Sequence, residues 1–218
     1  MSEKEAYWQS EAPKYNWAHA RLRLIAHEIR RDRSARSVLD VGAGAGTLAY
    51  LLGPDYTYLG LDITGRKETD ERWPSIRFCD LDRPETLTLL IQHPYDAVVL
   101  SGVLEYVQDW RALLRKTIES ALRPGGLLLV SAISDMFYRT LPRRPHPAWR
   151  QRFELPVVRA ALEHHDVSIE RLYPLWTGGH PWTMLLSRLF ARRSATLSDW
   201  FAWLGVNQFL FVGRGGKR

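Results

Sequence analysis

The sequence predicts an α/β protein with a doubly wound, mostly parallel sheet, and three observations favour this class. Apolar runs at residues 37–41, 57–61, 97–100 and 127–133 lack strict alternation, which is typical of parallel strands covered on both faces. Amphipathic helical patterns, such as residues 110–122, lie between them. A chain of 218 residues with 45% hydrophobic content also has the size of a single α/β domain.

The first strand runs directly into a glycine turn and then into a helix. Residues 36–46 read Arg-Ser-Val-Leu-Asp-Val-Gly-Ala-Gly-Ala-Gly, and a helical pattern begins at Thr47. The alternate glycines let the backbone turn tightly and approach a ligand, and they point the free N–H groups of the helix at it. Asp40 places a carboxylate beside that ligand, which would repel a pyrophosphate and attract a cation. A glycine turn without a ligand is the alternative that this motif alone leaves open.

This D-x-G-x-G-x-G spacing resembles motif I of class I S-adenosylmethionine (SAM) methyltransferases, whose cofactor carries a sulfonium and an ammonium group. The dinucleotide fingerprint would instead need a glycine where this chain has Thr47. Later segments resemble the family's further motifs in the same order, namely residues 56–62, 75–82, 95–109 and 123–131. The resemblance implies a seven-stranded sheet of order 3-2-1-4-5-7-6 with the last strand antiparallel and helices on both faces. It also implies SAM as the cofactor and S-adenosylhomocysteine as the product.

The resemblance places the cofactor contacts at the ends of the first four strands. Asp62, about 20 residues beyond the glycine motif, would accept hydrogen bonds from the ribose hydroxyls. Asp80 and Leu81 would meet the adenine, while Ser101 and the glycines would line the methionine end. The full set of predicted cofactor residues is Asp40, Gly42, Ala43, Gly44, Asp62, Ile63, Asp80, Leu81, Ser101, Gly102 and Val103. For any one of the aspartates, a helix cap is the alternative role.

The predicted chemistry requires few catalytic side chains. A methyl carbon bound to a sulfonium is already electrophilic, so the protein mainly holds a nucleophile in line with the C–S bond and excludes water. An alcohol or phenol acceptor would also need a general base, for which Tyr106, His146 and His180 are candidates, with Glu105 beside them. Some relatives have histidine at the Tyr106 position, so their base cannot be carried over. We expect methylation of a small molecule, at oxygen in preference to nitrogen.

The positive charge lies in the C-terminal part of the chain. Basic and acidic residues number 17 and 18 in residues 1–134, but 13 and 6 in residues 135–218. Six arginines follow the fifth strand, in and after a proline-rich loop predicted over residues 135–155: Arg139, Arg143, Arg144, Arg150, Arg152 and Arg159. Arginine forks match the phosphate or carboxylate of an anionic acceptor, although a solvated loop has the same composition.

Two further segments remain open in function. Residues 177–206 separate the last two predicted strands and contain tryptophan-bearing amphipathic helices, built around Trp182 and Trp200. Such helices can cover a sheet face, form a dimer contact or close the pocket of a lipid-linked acceptor. They can also bind a membrane surface, which in this chain would involve residues 182–204. A monomer and a homodimer are both compatible with the pattern. In the N-terminal cap region, residues 1–33, Tyr7, Trp8 and Tyr15 are candidates for closing the cofactor pocket.

Other classes of function are disfavoured. The single cysteine, Cys79, excludes an intramolecular disulfide and a multi-cysteine metal site. The sequence lacks a signal-peptide pattern and an apolar stretch of 18 residues, so we expect one cytoplasmic domain over residues 1–218. A pI near 9.6 raises nucleic acid as a partner, but Ser101-Gly-Val-Leu lacks the Asn/Asp-Pro-Pro-aromatic signature of enzymes that methylate base amines. A protein or RNA acceptor, or a non-catalytic SAM-binding protein, remains the alternative.

Overall fold

The computed structural model describes residues 20–64, 76–83, 85–135, 148–175, 189 and 206–216. Within these residues, helices and strands alternate along most of the chain. In chain order the elements are α1 (Ala20–Arg31), β1 (Ser37–Val41), α2 (Thr47–Leu52), β2 (Thr57–Asp62), β3 (Ile76–Phe78), α3 (Glu85–Leu90), β4 (Tyr95–Ser101), α4 (Trp110–Ala121), β5 (Leu122–Ile133), α5 (Leu155–His164), β6 (Val167–Leu175) and β7 (Gln208–Gly215).

The strands form one seven-stranded sheet of order β3-β2-β1-β4-β5-β7-β6. β1 pairs in parallel with β2 and β4, β2 with β3, and β4 with β5. β7 is antiparallel to both of its neighbours, β5 and β6. The predicted fold class, including the strand order and the reversed last strand, is confirmed.

Both faces of the sheet are buried, which explains why the strand sequences lack simple alternation. On one face, α3, α4 and α5 pack against inward side chains of the strands such as Leu39 and Val98. On the other face, α1 and α2 pack against neighbours in the same strands, such as Val38 and Val99. Successive residues of β1 and β4 therefore serve two hydrophobic cores, as expected for parallel strands between helical layers.

Parallel strands bring the loops that follow them to one edge of the sheet, called here the carboxyl end. The loops after β1, β2, β3 and β4 all lie there, and so does the start of β7, because that strand runs in the opposite direction. Helix α1 is fixed over the sheet by Glu28, which is 1% exposed. The Tyr173 hydroxyl donates to Glu28 Oε1 at 2.5 Å, and Arg171 Nη2 lies 2.7 Å from Glu28 Oε2.

Two strand boundaries differ from the sequence prediction. The third strand is predicted over residues 75–82 but spans only Ile76–Phe78, because the chain then enters a turn in which Arg83 N–H donates to the Asp80 carbonyl. The predicted turn at residues 123–126 belongs to the start of β5, where Leu122 pairs with Tyr95 across an irregular register. Neither change moves the loops of the carboxyl end.

Several predicted features lie outside the described residues. These are the N-terminal residues Tyr7, Trp8 and Tyr15, most of the basic loop with His146, and nearly all of the 177–206 segment with His180. Among the described residues, no helix is long and apolar enough to cross a membrane. The same residues contain no group of three or more potential metal ligands from histidine, cysteine and acidic side chains.

Candidate cofactor site

The glycine turn after β1 forms the floor of the site. Gly42, Gly44 and Gly46 have φ angles of 79°, 56° and 75°, in the left-handed region that favours glycine. A Cβ on Gly42 would lie 2.6 Å from Cγ2 of Val103, so the turn packs directly against the loop after β4. A Cβ on Gly44 would meet nothing within 4 Å. The middle of the turn therefore faces open space that a ligand can enter.

Asp62, at the end of β2, lies against this turn. Its Oδ2 accepts a hydrogen bond from Gly44 N–H at 2.9 Å. Its Oδ1 accepts from the backbone and the hydroxyl of Thr64, at 2.9 and 2.7 Å. Asp62, which is predicted to bind the ribose, is thus held beside the glycine motif. Ile63 lies in the turn between Asp62 and Thr64. Thr64 was not predicted from sequence, since its role is visible only in this contact.

The loop after β3 is tied to the loop after β4 by Asp82. Asp80 Oδ1 accepts from Asp82 N–H at 3.2 Å, which closes a local turn at this end of the site. Asp82 Oδ1 in turn accepts from Gln108 N–H at 2.7 Å. Leu81, between the two aspartates, is only 7% exposed and packs into the core that contains Val103. The residues predicted to contact the adenine, Asp80 and Leu81, are therefore held in place by these contacts.

The loop after β4 supplies the predicted methionine end. Gly102 has a φ angle of 65°, and its N–H donates to Ser131 Oγ at 2.8 Å. Ser101 is 8% exposed, and its hydroxyl has no hydrogen-bond partner among the described residues. Of the three predicted base candidates Tyr106, His146 and His180, Tyr106 lies within the described residues, half-buried in the same loop.

Arg21, on α1, reaches this loop and was not predicted from sequence. A Cβ on Gly102 would lie 2.8 Å from both Nη atoms of Arg21, so the guanidinium rests on the Gly102 backbone. Its Nη1 donates to Gln208 Oε1 at 2.8 Å, and its Nε is enclosed and has no hydrogen-bond partner in the described part of the chain. Burial lowers the pKa of Arg21, while the charges of Glu105, Tyr106 and Asp40 oppose that shift. Among the described residues no carboxylate forms an ion pair with Arg21.

Asp40, just before the glycine turn, is an acid held in an unusual environment. Its side chain is 3% exposed, and Oδ2 accepts from the Tyr58 hydroxyl at 2.7 Å. Burial raises the pKa of Asp40 to about 7, because the Tyr58 hydrogen bond and the Arg21 charge only partly offset the lost hydration and the nearby Asp62 carboxylate. A cation placed beside Asp40 would lower this pKa and would be stabilised by the ionised carboxylate.

Glu105 is enclosed in the same region. It is 0% exposed, with Oε1 accepting from Ile133 N–H at 2.8 Å and Oε2 without a partner in the described structure. Burial raises the pKa of Glu105 to about 7, although its hydrogen bonds and Arg21 oppose the shift. In this conformation the carboxylate is closed off from solvent, and its role as a general base stays a prediction.

The remaining base and anion candidates are distributed as follows. His93, His164 and His165 lie in or before the loops that lead into β4 and β6, at the opposite end of the sheet, and His27 is exposed on α1. The predicted base candidates His146 and His180 lie outside the described residues. Among the predicted basic cluster, Arg150 lies 3.5 Å from Asp82, Arg152 lies 3.1 Å from Asp135 and Arg159 lies 3.0 Å from Glu163. These three arginines form internal ion pairs, and Arg139, Arg143 and Arg144 lie outside the described residues.

A family model described as a methyltransferase domain matches residues 8–187. An alignment 126 residues long is 32% identical to polyketide synthase ThaG of Burkholderia thailandensis. It covers 50% of this chain and only 2% of the synthase.

Solved structures of methyltransferases share the fold. A Burkholderia thailandensis 1,6-didemethyltoxoflavin-N1-methyltransferase, with its acceptor and S-adenosylhomocysteine bound, aligns with a TM-score of 0.60 and 17% identity, over 97% of this chain and 87% of that one. The N-methyltransferase NodS of Bradyrhizobium japonicum, with S-adenosylhomocysteine, gives 0.59 and 17%, over 98% and 99%. A SAM-dependent methyltransferase of Archaeoglobus fulgidus gives 0.56 and 16%, over 88% and 94%.

Proposed function

The chain belongs to the methyltransferase domain family and is a SAM-dependent enzyme, and we propose that its acceptor is a small molecule methylated on oxygen or, as second candidate, nitrogen. Nitrogen is kept because the toxoflavin enzyme and NodS, which share the fold, are N-methyltransferases. The match to a segment of a polyketide synthase supports a place in small-molecule chemistry. The polar groups at the carboxyl end, described next, support the cofactor assignment.

The observation that carries the cofactor assignment is the match between the site's charges and those of SAM. The methionine part of SAM is a zwitterion with a carboxylate and an ammonium group. Arg21 offers a guanidinium that lacks an ion-pair partner in the described structure, and Asp40 offers a carboxylate with its pKa raised to about 7. We assign Arg21 to the carboxylate and Asp40 to the ammonium group. An unpaired charge in a buried position is energetically costly, and each residue would gain an oppositely charged partner on binding.

The other groups complete the binding mode. We assign Asp62 to the ribose hydroxyls, from which it would accept hydrogen bonds in exchange for its present bonds to Gly44 and Thr64. Asp80 and the backbone beside Leu81 are assigned to the adenine, with Ala43 and Ile63 at the edges of the same pocket. We assign Ser101, Gly102 and Val103 to the methionine part of SAM. Gly102 contacts Arg21, and Val103 contacts the glycine turn at Gly42.

In the mechanism, the protein mainly positions the acceptor relative to the methyl group of SAM and takes little direct part in bond making. Bound SAM supplies a methyl group bonded to a sulfonium, and its transfer leaves the C–S electron pair on sulfur as S-adenosylhomocysteine. The loop 102–108 and Tyr106 would orient the acceptor heteroatom toward that carbon and exclude water. An acceptor alcohol or phenol would lose its proton to Tyr106, His146, His180 or solvent, whereas an amine can lose its proton after transfer.

Methyl transfer to a defined acceptor panel tests the proposal. The purified full-length chain is incubated with methyl-labelled SAM and separate sets of phenols, carboxylic acids, amines, a total protein extract and total RNA. We expect label in a small-molecule set, with Asp62→Ala reducing it and Asp96→Asn, at the opposite end of the sheet, retaining it. Label only in protein or RNA would refute the small-molecule acceptor. SAM binding without transfer to any class would favour the non-catalytic alternative.

A further inference from the structure

The loop after β4, residues 102–108, touches three separate parts of the cofactor site. Val103 packs on the glycine turn at Gly42, and the Gly102 backbone supports the Arg21 guanidinium. At its other end, Gln108 N–H donates to Asp82 at 2.7 Å. A small displacement of this loop would therefore move the predicted glycine, methionine and adenine contacts together.

One side chain, Gln151, holds this loop from outside. Its Nε2 donates to two carbonyls of the loop, Leu104 O at 2.8 Å and Val107 O at 3.0 Å. Two adjacent backbone donors reinforce the contact, since Arg150 N–H and Gln151 N–H both reach the Glu105 carbonyl, at 2.8 and 3.3 Å. The carbonyls of Leu104, Glu105 and Val107 would otherwise turn toward solvent or remain unsatisfied.

Gln151 is itself fixed to the sheet, so it can act as a rigid support. Phe153 N–H donates to the Ile133 carbonyl at 2.9 Å, and Asp135 N–H donates to the Phe153 carbonyl at 2.9 Å. The Phe153 ring meets Trp110 edge-on with centroids 5.1 Å apart. Residues 149–153 thus join the end of β5 and the start of α4 to the loop that carries Tyr106.

We propose that Gln151 is a positioning residue for SAM: its carboxamide locks the 102–108 loop in the shape that receives the cofactor, without touching the cofactor itself. The inference rests on the proposed function, because it concerns the same site. A primary amide is needed because it carries two N–H donors for two carbonyls. Alanine removes both bonds, and an ionised glutamate places a charge against two carbonyl oxygens.

The test is calorimetric titration of the full chain with SAM at pH 8 and pH 5, together with thermal unfolding of each variant. The variants are Gln151→Ala and Gln151→Glu, with Gln92→Ala, an exposed residue before β4, as the matched control. We expect Gln151→Ala to weaken SAM binding by about tenfold, the scale of one hydrogen bond, and Gln92→Ala to leave it unchanged. Gln151→Glu should bind more weakly than Gln151→Ala at pH 8.

The pH comparison separates positioning from a general loss of structure. Contact with two carbonyl oxygens disfavours an ionised side chain, so we expect the pKa of a glutamate at position 151 to be raised and the side chain to be partly protonated at pH 5. The restored O–H donor should shrink the deficit of Gln151→Glu relative to wild type at the same pH several-fold. Because Glu105, Asp82, Asp135, Arg150 and Arg152 surround position 151, every ratio is taken against wild type at that pH.

Three results are decisive. Wild-type affinity in Gln151→Ala, well below its unfolding temperature, would overturn the inference even if that temperature falls. A Gln151→Glu deficit that is the same at both pH values would also overturn it. If the wild-type chain does not bind SAM at either pH, the proposed function itself fails, which is a distinct outcome.

Discussion

At the amino end of the sheet acidic and basic side chains meet in ion pairs, whereas at the carboxyl end several ionisable groups are buried without one. Arg214 bridges Asp32 and Glu170 at 2.6 and 3.1 Å, and Arg123 lies 2.6 Å from Asp96. At the carboxyl end, Asp40, Glu105 and Arg21 form no ion pair among the described residues. The fold therefore pairs these charges at the amino end, whereas at the carboxyl end Asp40, Glu105 and Arg21 lack an ion pair within the described residues even though Asp82 and Asp135 have one.

The pKa values at the two ends move in opposite directions. Burial by itself would raise the pKa of Asp32 and of Asp96. Hydrogen bonds from Ser34 and Arg214 to Asp32 outweigh burial, so the pKa of Asp32 lies below its usual value. Hydrogen bonds from the backbone of Ser37 and Arg36 do the same for the pKa of Asp96. In Asp40 and Glu105 burial prevails, and both pKa values rise to about 7. Charge at the amino end is stabilised by ion pairs and hydrogen bonds, and charge at the carboxyl end would be available to the cofactor that we propose.

The largest expected effect comes from Gly42→Ala. The new Cβ would lie 2.6 Å from Val103 at a φ of 79°, so the turn and the loop after β4 must separate. We expect SAM binding to fall below detection by calorimetry. Gly53→Ala, with a φ of 85° and open space around it, is the control for backbone strain alone. It should lower the unfolding temperature and retain binding; equal loss in both variants would contradict the assignment of the turn.

The next effect contrasts two half-buried arginines, Arg21 at the carboxyl end and Arg214 at the amino end. Arg21→Met should weaken S-adenosylhomocysteine binding by about 3 kcal/mol, the scale of a buried charge contact, with little loss of stability because no ion pair is broken. Arg214→Met should do the reverse, lowering the unfolding free energy while preserving affinity. Calorimetry and chemical denaturation of both variants measure this. If the two variants lost affinity equally, the distinction between the ends of the sheet would fail.

A smaller effect is expected for Asp62→Ala. Losing the hydrogen bonds that a carboxylate accepts from the ribose should weaken SAM binding by about 1–3 kcal/mol. Asp96→Asn is the matched change at the amino end and should cost stability instead, since Asp96 accepts from the Arg36 and Ser37 backbones at 2.7 and 2.9 Å. Unchanged affinity in Asp62→Ala would remove that residue from the site.

The smallest effect concerns Glu105→Gln. A raised pKa means that the folded protein binds a proton more readily than the unfolded chain between about pH 4 and pH 7, so the ionised form opposes folding above that window. The neutral side chain should therefore stabilise the protein at pH 8 by about 1 kcal/mol, and the gain should disappear near pH 4. Denaturation at both pH values checks this. A loss of stability at pH 8 would show that ionised Glu105 is compensated.

Much of the fold was predictable because it depends on local patterns. Non-alternating apolar runs indicated strands buried on both faces, and the family resemblance gave their order, which the structure confirms. The glycine motif and Asp62 were predicted from spacing, and the structure brings them together at 2.9 Å. Their roles toward SAM stay predictions.

The contacts that the sequence did not reveal join residues far apart along the chain. Arg21 meets the loop after β4, Tyr58 meets Asp40 from the neighbouring strand, and Gln151 grips carbonyls of the 104–107 backbone. One signal was present: Arg21 and Glu28 lie at i and i+7 on the apolar face of α1, with Leu24 and Ile25 between them. Charged residues on a buried helix face indicate partners that only the tertiary structure identifies.

The most direct test of uncompensated charge at the carboxyl end is proton release on binding. S-adenosylhomocysteine is titrated at pH 7 into wild type and Asp40→Asn, in buffers of different ionisation enthalpy. With its pKa at about 7, Asp40 is partly protonated in the free protein, and the ligand ammonium should drive it to ionise. We predict net proton release for wild type that is much reduced in Asp40→Asn. Binding by wild type with no proton release, or with the same release in Asp40→Asn, would contradict the account.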